Sequence, residues 1–442
     1  MTPRIVPRSF ALPAAAMLVV LAGCGWFDSK KERLEGERVS VLLHQRVLKP
    51  DVEIGKAEVL LPEPTPNPDW PQAGGYPNHA MQHIAVGENL RRAWTSSAGK
   101  GANDYQRIVA SPIVAEGRVY AIDSESRVSA FDAKSGGRLW RTDLTPKKED
   151  DGHVAGGIAF AMGRVYAATG FAQVIALDAK TGAETWRQPV PAPVRAAPTV
   201  RAGLVFVVTV DNHVFALDAD TGKQAWTYAG ITESAAILGS AAPAADGGVV
   251  VVPFSSGELV ALRADSGRML WSDSLATARR TDQISALSHI RGRPVIDRGR
   301  VFALSHGGVM VAIDMRTGRR VWERQIGGLE SPWVAGDYVF VLTGDSEVAC
   351  LSRTDGSILW VQALPRWGNE AKKKDPITWT GPVLASDRLI VAGSHGEALT
   401  LSPYTGEILG FESMPNGVSV APVVADGSVY FHANDADIVA YR

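Results

Sequence analysis

The chain has 442 residues, 45 Lys and Arg against 47 Asp and Glu, and only two cysteines. That charge balance gives no pointer to nucleic acid, and none is expected as a partner. Cys24 and Cys350 are the two cysteines, and the position of Cys24 described next leaves no structural disulfide within the mature monomer.

The first segment is a targeting sequence. Arg4 and Arg8 form a basic start, and Phe10 to Ala22 is an apolar run too short to span a membrane comfortably. It ends in Leu21-Ala22-Gly23-Cys24, which resembles the lipobox of bacterial lipoproteins. The resemblance implies that residues 1–23 are removed as a signal peptide and that Cys24 is acylated, anchoring the chain to a membrane. Two or more acyl chains give stable anchoring at roughly 0.8 kcal/mol per buried methylene. Gly25 follows, not the Asp that resembles an inner-membrane retention signal, so the expected location is the outer membrane, facing the periplasm.

Residues 24–68 read as a lipidated extension. Lys30 to Glu35 mixes charges, Val39 to Leu48 suits a short strand or helix, and Pro62-Glu63-Pro64-Thr65-Pro66-Asn67-Pro68 reads as an extended linker. As a flexible coil, about 40 residues would span roughly 35 Å.

Residues 69–442 read as one closed ring. After the lead-in Asp69-Trp70-Pro71-Gln72-Ala73-Gly74-Gly75, His79 and His83 have a helical ligand spacing but no third ligand, so both are expected at the surface. Leu90 to Thr95 is then an orphan strand carrying Trp94. Beyond it a phrase recurs roughly every 40 to 50 residues: small residue, Leu, Asp, two positions, Thr-Gly, three positions, Trp. Its cleanest copies run from Ala176 to Trp186 and from Ala216 to Trp226; looser ones end at Trp140, Trp271, Trp322 and Trp360. A seventh keeps Thr405-Gly406 but has Gly410 in the Trp position, and the eighth stops at Arg442 before its turn and last strand.

Short runs of Val, Ile, Tyr and Phe between Gly, Asp and Ser are the strand signature, and four per unit make one propeller blade. The predicted fold is therefore all-β: an eight-bladed propeller of four-stranded antiparallel blades, closed when the Trp94 strand completes the last blade and removes the open edges. In each turn the Gly is expected at positive φ and the Asp is expected to accept amide hydrogen bonds. The Trp is expected to lock neighbouring blades through burial and its indole N–H. Cys350 takes the small-residue position of the phrase and reads as buried packing.

Extra length accumulates after the Trp strand, at Lys147 to Asp151, Ile231 to Gly239, Ser272 to Arg293 and Pro365 to Pro376. In a four-stranded meander these crossings emerge on one face, and long loops on a rigid ring suggest a binding surface. Arg279-Arg280 with Arg291 and Arg293 makes one of them basic, and Lys372-Lys373-Lys374 another.

The repeats resemble those of the pyrroloquinoline-quinone dehydrogenases, but no vicinal cysteine pair or acidic metal cluster accompanies them. No catalytic residue, metal or cofactor is expected. Lipobox, linker and ring together resemble the BamB family, the lipoproteins of the outer-membrane β-barrel assembly machinery. That resemblance implies a non-catalytic periplasmic scaffold that binds the POTRA domains of BamA, works beside the other BAM lipoproteins and assists unfolded outer-membrane chains. It carries Ile237 over as a partner-binding residue. Leu238, His289 and Arg291 depart from the Arg and the two acids of the family pattern, so the contact chemistry differs here. A quinoprotein dehydrogenase, or a lipoprotein scaffold of another envelope complex, remains the alternative.

Overall fold

The computed structural model describes residues 48–51, 58–149, 156–233, 237, 239–276 and 288–442. The signal segment, Cys24, most of the extension and Arg279-Arg280 lie outside them. The described strands form eight four-stranded antiparallel sheets and one two-stranded ribbon. The chain is thus an eight-bladed β-propeller.

Blade 1 comprises Ile113–Ala115, Arg118–Ile122, Arg127–Asp132 and Arg138–Asp143. Blades 2 to 7 repeat this order, their innermost strands beginning at Gly157, Thr199, Ala244, Val295, Trp333 and Trp379. Blade 8 takes Val423–Ala425, Ser428–His432 and Asp437–Tyr441 from the C-terminal end and Arg92–Ser97 as its outermost strand. Trp94 pairs with Ala440 and Ser97 with Asp437 in that closure. Inner strands are nearly all buried, whereas outer strands alternate and bury mainly the Trp position.

The repeated phrase builds a repeated joint. Asp178 Oδ1 accepts the Thr181 N–H at 2.8 Å and the Thr181 hydroxyl at 2.7 Å, fixing the turn. Gly182 sits at φ 74°, a left-handed conformation that side chains resist. A β-carbon there would stand 2.6 Å from Trp140 Cε3 of the preceding blade. The glycine is therefore required twice, by its backbone and by the indole lying on it. One residue before each Trp the outer strand slips register, as between Ala176↔Trp186 and Leu177↔Glu184. Such a bulge raises the local twist and re-aims a side chain. Here it aims the Trp at the next blade.

Each indole N–H then donates to a carbonyl of the next blade's turn. Trp94 reaches Ala133 at 3.1 Å, Trp140 reaches Ala179 at 3.0 Å and Trp186 reaches Ala219 at 3.0 Å. Trp226 reaches Ala264 at 2.9 Å, Trp271 Met315 at 2.7 Å, Trp322 Arg353 at 3.0 Å and Trp360 Pro403 at 3.0 Å. In blades 1 and 2 an inner tyrosine joins the same acceptor, Tyr120 Oη donating to Ala179 and Tyr166 Oη to Ala219. Cys350 is buried opposite Trp360, and burial pushes its thiol pKa up, which leaves it a packing residue.

The lead-in is where the structure departs most from sequence expectation. Residues 67–84 run around the axis and touch the innermost strand of every blade in turn. Asn67 meets Val424 and Asp426 of blade 8, Trp70 pairs with Val114 of blade 1, and Pro71 O accepts from Phe160 of blade 2. The Gln72 side chain grips both backbone groups of Val200 in blade 3 at 2.9 Å. Pro77 and Asn78 accept from Ala245 and Ile296, Gln82 O accepts from the Trp333 indole, and Ile84 O accepts from Ser386. One short segment thereby ties all eight blades together on the face that carries the Thr-Gly turns.

His79 and His83 belong to this plug, so the expectation that they lie at the surface is wrong: they are 6% and 1% exposed. His79 Nδ1 donates to Pro294 O at 2.7 Å, and burial, with Arg293 nearby, pulls its pKa down to about 3. His83 Nδ1 donates to Pro62 O at 2.7 Å while its Nε2 accepts from the Asp387 N–H at 3.0 Å. Their spacing serves backbone satisfaction. The proline-rich segment also lies on the ring, Val59 being buried and Thr65 bonded to His83 and Ala85. Residues 58–68 are thus part of the ring's surface and add nothing to a free tether.

Candidate partner-binding face

The crossings from one blade's outer strand to the next blade's inner strand emerge opposite the Thr-Gly turns, and three consecutive crossings are laced together and tied to blade 7. In the blade 3–4 crossing the Ile237 N–H donates to His289 Nδ1 of the blade 4–5 crossing at 3.1 Å. His289 is buried, and burial, with Arg291 and His306 adding repulsion, pulls its pKa down to about 4. Near pH 7 the imidazole is therefore neutral, as an Nδ1 acceptor requires. Gly239 lies at φ 89°, and a β-carbon there would stand 3.2 Å from Arg291 Nε.

Arg291 continues the belt to Glu330 of the blade 5–6 crossing at 3.4 Å. Glu330 Oε2 accepts the Thr380 hydroxyl at 2.8 Å and the Gly381 N–H at 3.3 Å, reaching blade 7. The two regions that the sequence singled out for partner contact, around Ile237 and around His289 and Arg291, are thus one surface. Glu330 and Thr380, which complete it, carried no recognisable motif. Only the blades' order in space brings them together.

The blade 6–7 crossing, expected as a basic loop, is a small ribbon in which Trp367–Asn369 pairs with Lys374–Pro376. Lys372, Lys373 and Lys374 are exposed at its tip, and Arg366 at its base pairs with Asp345. Lys147, Lys148 and Glu149 of the blade 1–2 crossing are exposed as well. Among the described residues no group of three or more His, Cys, Asp or Glu stands close enough to hold a metal. Cys24 lies outside the described residues. The seven Trp positions sit at the blade seams, away from this face.

The family model described as outer membrane protein assembly factor BamB matches residues 124–362, and a model of the glucose/ethanol/alcohol dehydrogenase β-propeller domain matches residues 82–163. Outer membrane protein assembly factor BamB of Xanthomonas campestris pv. campestris is 30% identical over 358 residues, 79% of this chain and 85% of that protein. The Yersinia pestis protein of the same name is 26% identical over 356 residues, 79% of this chain and 88% of that one. Among solved structures, BamB from Moraxella catarrhalis superimposes with a TM-score of 0.67 at 21% identity, covering 80% of this chain and all of its own. A quinohemoprotein alcohol dehydrogenase from Comamonas testosteroni reaches 0.65 at 15% identity, covering 85% and 80%, a likeness of fold alone. With one family model matching more than half of the chain and a relative at 30% identity spanning most of both proteins, the chain belongs to the family of the outer membrane protein assembly factor BamB.

Proposed function

We propose that this chain is a non-catalytic subunit of the machinery that assembles β-barrel proteins in the outer membrane, working from the periplasmic side. The observation that carries this reading is membership of the assembly-factor family over residues 124–362. The crossing face supports it, because three crossings and the innermost strand of blade 7, locked by Ile237–His289, Arg291–Glu330 and Glu330–Thr380, form a rigid, side-chain-rich platform. Acylated Cys24 holds the chain at the membrane, and the platform docks the POTRA domains of BamA, with Ile237 as the apolar anchor. Unfolded barrel chains, which present open strand edges, are then brought close to the insertase.

Crosslinking of the native protein in intact cells, followed by mass spectrometry, tests the reading. BamA and its accessory lipoproteins are the expected partners. Ile237→Asp should lower BamA recovery about tenfold, the effect of losing one interface anchor. It should leave thermal stability unchanged, since the bond to His289 is made by the backbone. Recovery of other envelope proteins in place of BamA would sink the assembly role and leave the fold intact.

A further inference from the structure

Blade 5 carries an unusual charge on the turn face. Its two turns, residues 297–300 and 314–320, hold Arg298, Arg300, Arg316, Arg319 and Arg320 against Asp297 and Asp314. The corresponding turns of blades 2, 3 and 4 are neutral. Three of the five arginines are already occupied. Arg298 pairs with Asp297 and Asp337, Arg300 donates to the Arg353 carbonyl, and Arg320 clasps Asp273. Arg316 and Arg319 are exposed and have no ion-pair partner among the described residues.

The described part of the N-terminal chain reaches the ring one seam further on, beside the Thr-Gly turn of blade 6. The Asp51 N–H donates to Ile358 O at 2.8 Å, Asp51 Oδ2 accepts from the Ile358 N–H at 2.8 Å, and Arg324 of blade 5 pairs with that carboxylate at 3.5 Å. Lys49 to Asp51 therefore lands at the seam of blades 5 and 6. About 24 residues separate Cys24 from Lys49, a stretch that reaches about 80 Å at its fully extended limit.

We propose that the blade 5 turn surface, led by Arg316 and Arg319, rests on anionic phospholipid headgroups of the membrane that anchors the chain. This rests on the lipid-anchor reading of Cys24. Charge complementarity selects the blade 5 turns, and the tether lands on the neighbouring seam of the same face. The contact turns the Thr-Gly face of blade 5 toward the bilayer and leaves the crossing face free for protein partners. Guanidinium groups suit phosphate because their planar fork donates two parallel hydrogen bonds.

Vesicle co-sedimentation of the mature-length chain carrying Cys24→Ser reads this contact without the acyl anchor. Vesicles of phosphatidylglycerol and phosphatidylcholine should bind it and release it as salt rises, while phosphatidylcholine alone should not bind. Each arginine neutralised should weaken binding roughly fivefold, so R316Q/R319Q should lose roughly 25-fold. K134Q/K180Q, at the matching turn positions of blades 1 and 2, should change it less than twofold. Wild-type binding by R316Q/R319Q, or equal binding to neutral vesicles, overturns the proposal. So does an absence of vesicle binding combined with loss of a co-purifying protein in R316Q/R319Q, which would assign the patch to an acidic protein partner. The mass of the native N-terminal peptide tests acylation separately, so failure of the anchor and failure of the patch are told apart.

Discussion

Seven seams of the ring and the eighth are built differently. Between blades 8 and 1, and onward to blade 7, a Trp lies on a left-handed glycine and donates to the carbonyl three residues after the next blade's small position, as Trp94 does to Ala133 beyond Ala130. Between blades 7 and 8 there is no such joint. Gly410 stands in the Trp position, and blade 8 has no Thr-Gly turn because Arg442 and Arg91 meet there as the two ends of the blade's split hairpin, each donating to the other's carbonyl at 2.9 Å. A docking Trp and its receiving turn form a unit, and the unit is missing as a whole. The outer strand of blade 7 instead presents Phe411 at 69% exposure in the position after Gly410. The position after Trp is polar in most other blades, as at Arg141, Thr227 and Glu323.

The largest expected effects come from removing one half of a joint. Trp140→Ala should cost about 3–5 kcal/mol, the usual range for deleting a large core aromatic, read as a urea unfolding midpoint. Trp94→Ala should cost the same within about 1 kcal/mol, although it sits in the closing strand, because its indole makes the same contacts. A much larger loss at Trp94 would mean that ring closure, and not the joint, dominates stability. Gly182→Ala should cost about 2–4 kcal/mol, combining backbone strain with overlap against Trp140. Gly117→Ala is the control: its φ of 71° is similar, but open space surrounds it, so only the strain component should appear.

Most of this joint was legible before any coordinates. Leu177-Asp178, Thr181-Gly182 and Trp186 each occupy a fixed place because a local interaction needs that residue type, and local needs repeat with the sequence. The closure was legible for the same reason: a blade lacking its Trp strand and a Trp strand lacking its blade imply each other. The plug was not. Gln72, Pro77, Asn78 and Gln82 hold four different blades through main-chain groups or a single amide, so no periodicity or composition marks them. His79 and His83 looked like surface residues because their partners, Pro294 O, Pro62 O and the Asp387 N–H, are backbone atoms 21 to 304 residues away. The crossing face was legible in outline from loop length. Glu330 and Thr380 were not, since a lone acid and a lone threonine gain meaning only from neighbouring blades.

A subtler effect belongs to the turn aspartates. Hydrogen bonds from Thr181 hold Asp178 below the ordinary carboxylate range, and Thr221 and Thr317 do the same for Asp218 and Asp314. Arg263 holds Asp265 at about 2, and Ser357 chiefly holds Asp355 at about 2. A carboxylate whose pKa is lowered on folding adds stability above its unfolded value and loses it as pH falls through the folded one. The unfolding midpoint should therefore be insensitive to these groups above pH ~4 and decline from there toward pH ~2. D178N/D218N/D314N should be less stable than the parent at pH 7, yet lose less of its midpoint between those two pH values. An identical acid decline would mean that the turns do not distinguish the ionised Asp from a neutral amide.

The smallest effect is the most discriminating. Gly410→Trp restores the missing indole on blade 7, at a glycine whose φ is ordinary and whose β-carbon would meet only Thr400 Oγ1 at 3.7 Å. If an outer-strand Trp stabilised the ring by burial alone, this substitution should add a kcal/mol or more. The seams argue otherwise. Blade 8 offers no glycine to lie on and no turn carbonyl facing the indole N–H, because its hairpin is divided between Arg442 and Arg91. Stability should therefore stay within about 0.5 kcal/mol of the parent, as for an ordinary surface change. The new indole should remain solvent-exposed, with fluorescence emission near that of free Trp. A blue-shifted emission together with a gain in the urea midpoint would show that the eighth seam can accept a Trp, and that the pairing of Trp with turn is not what shapes the ring.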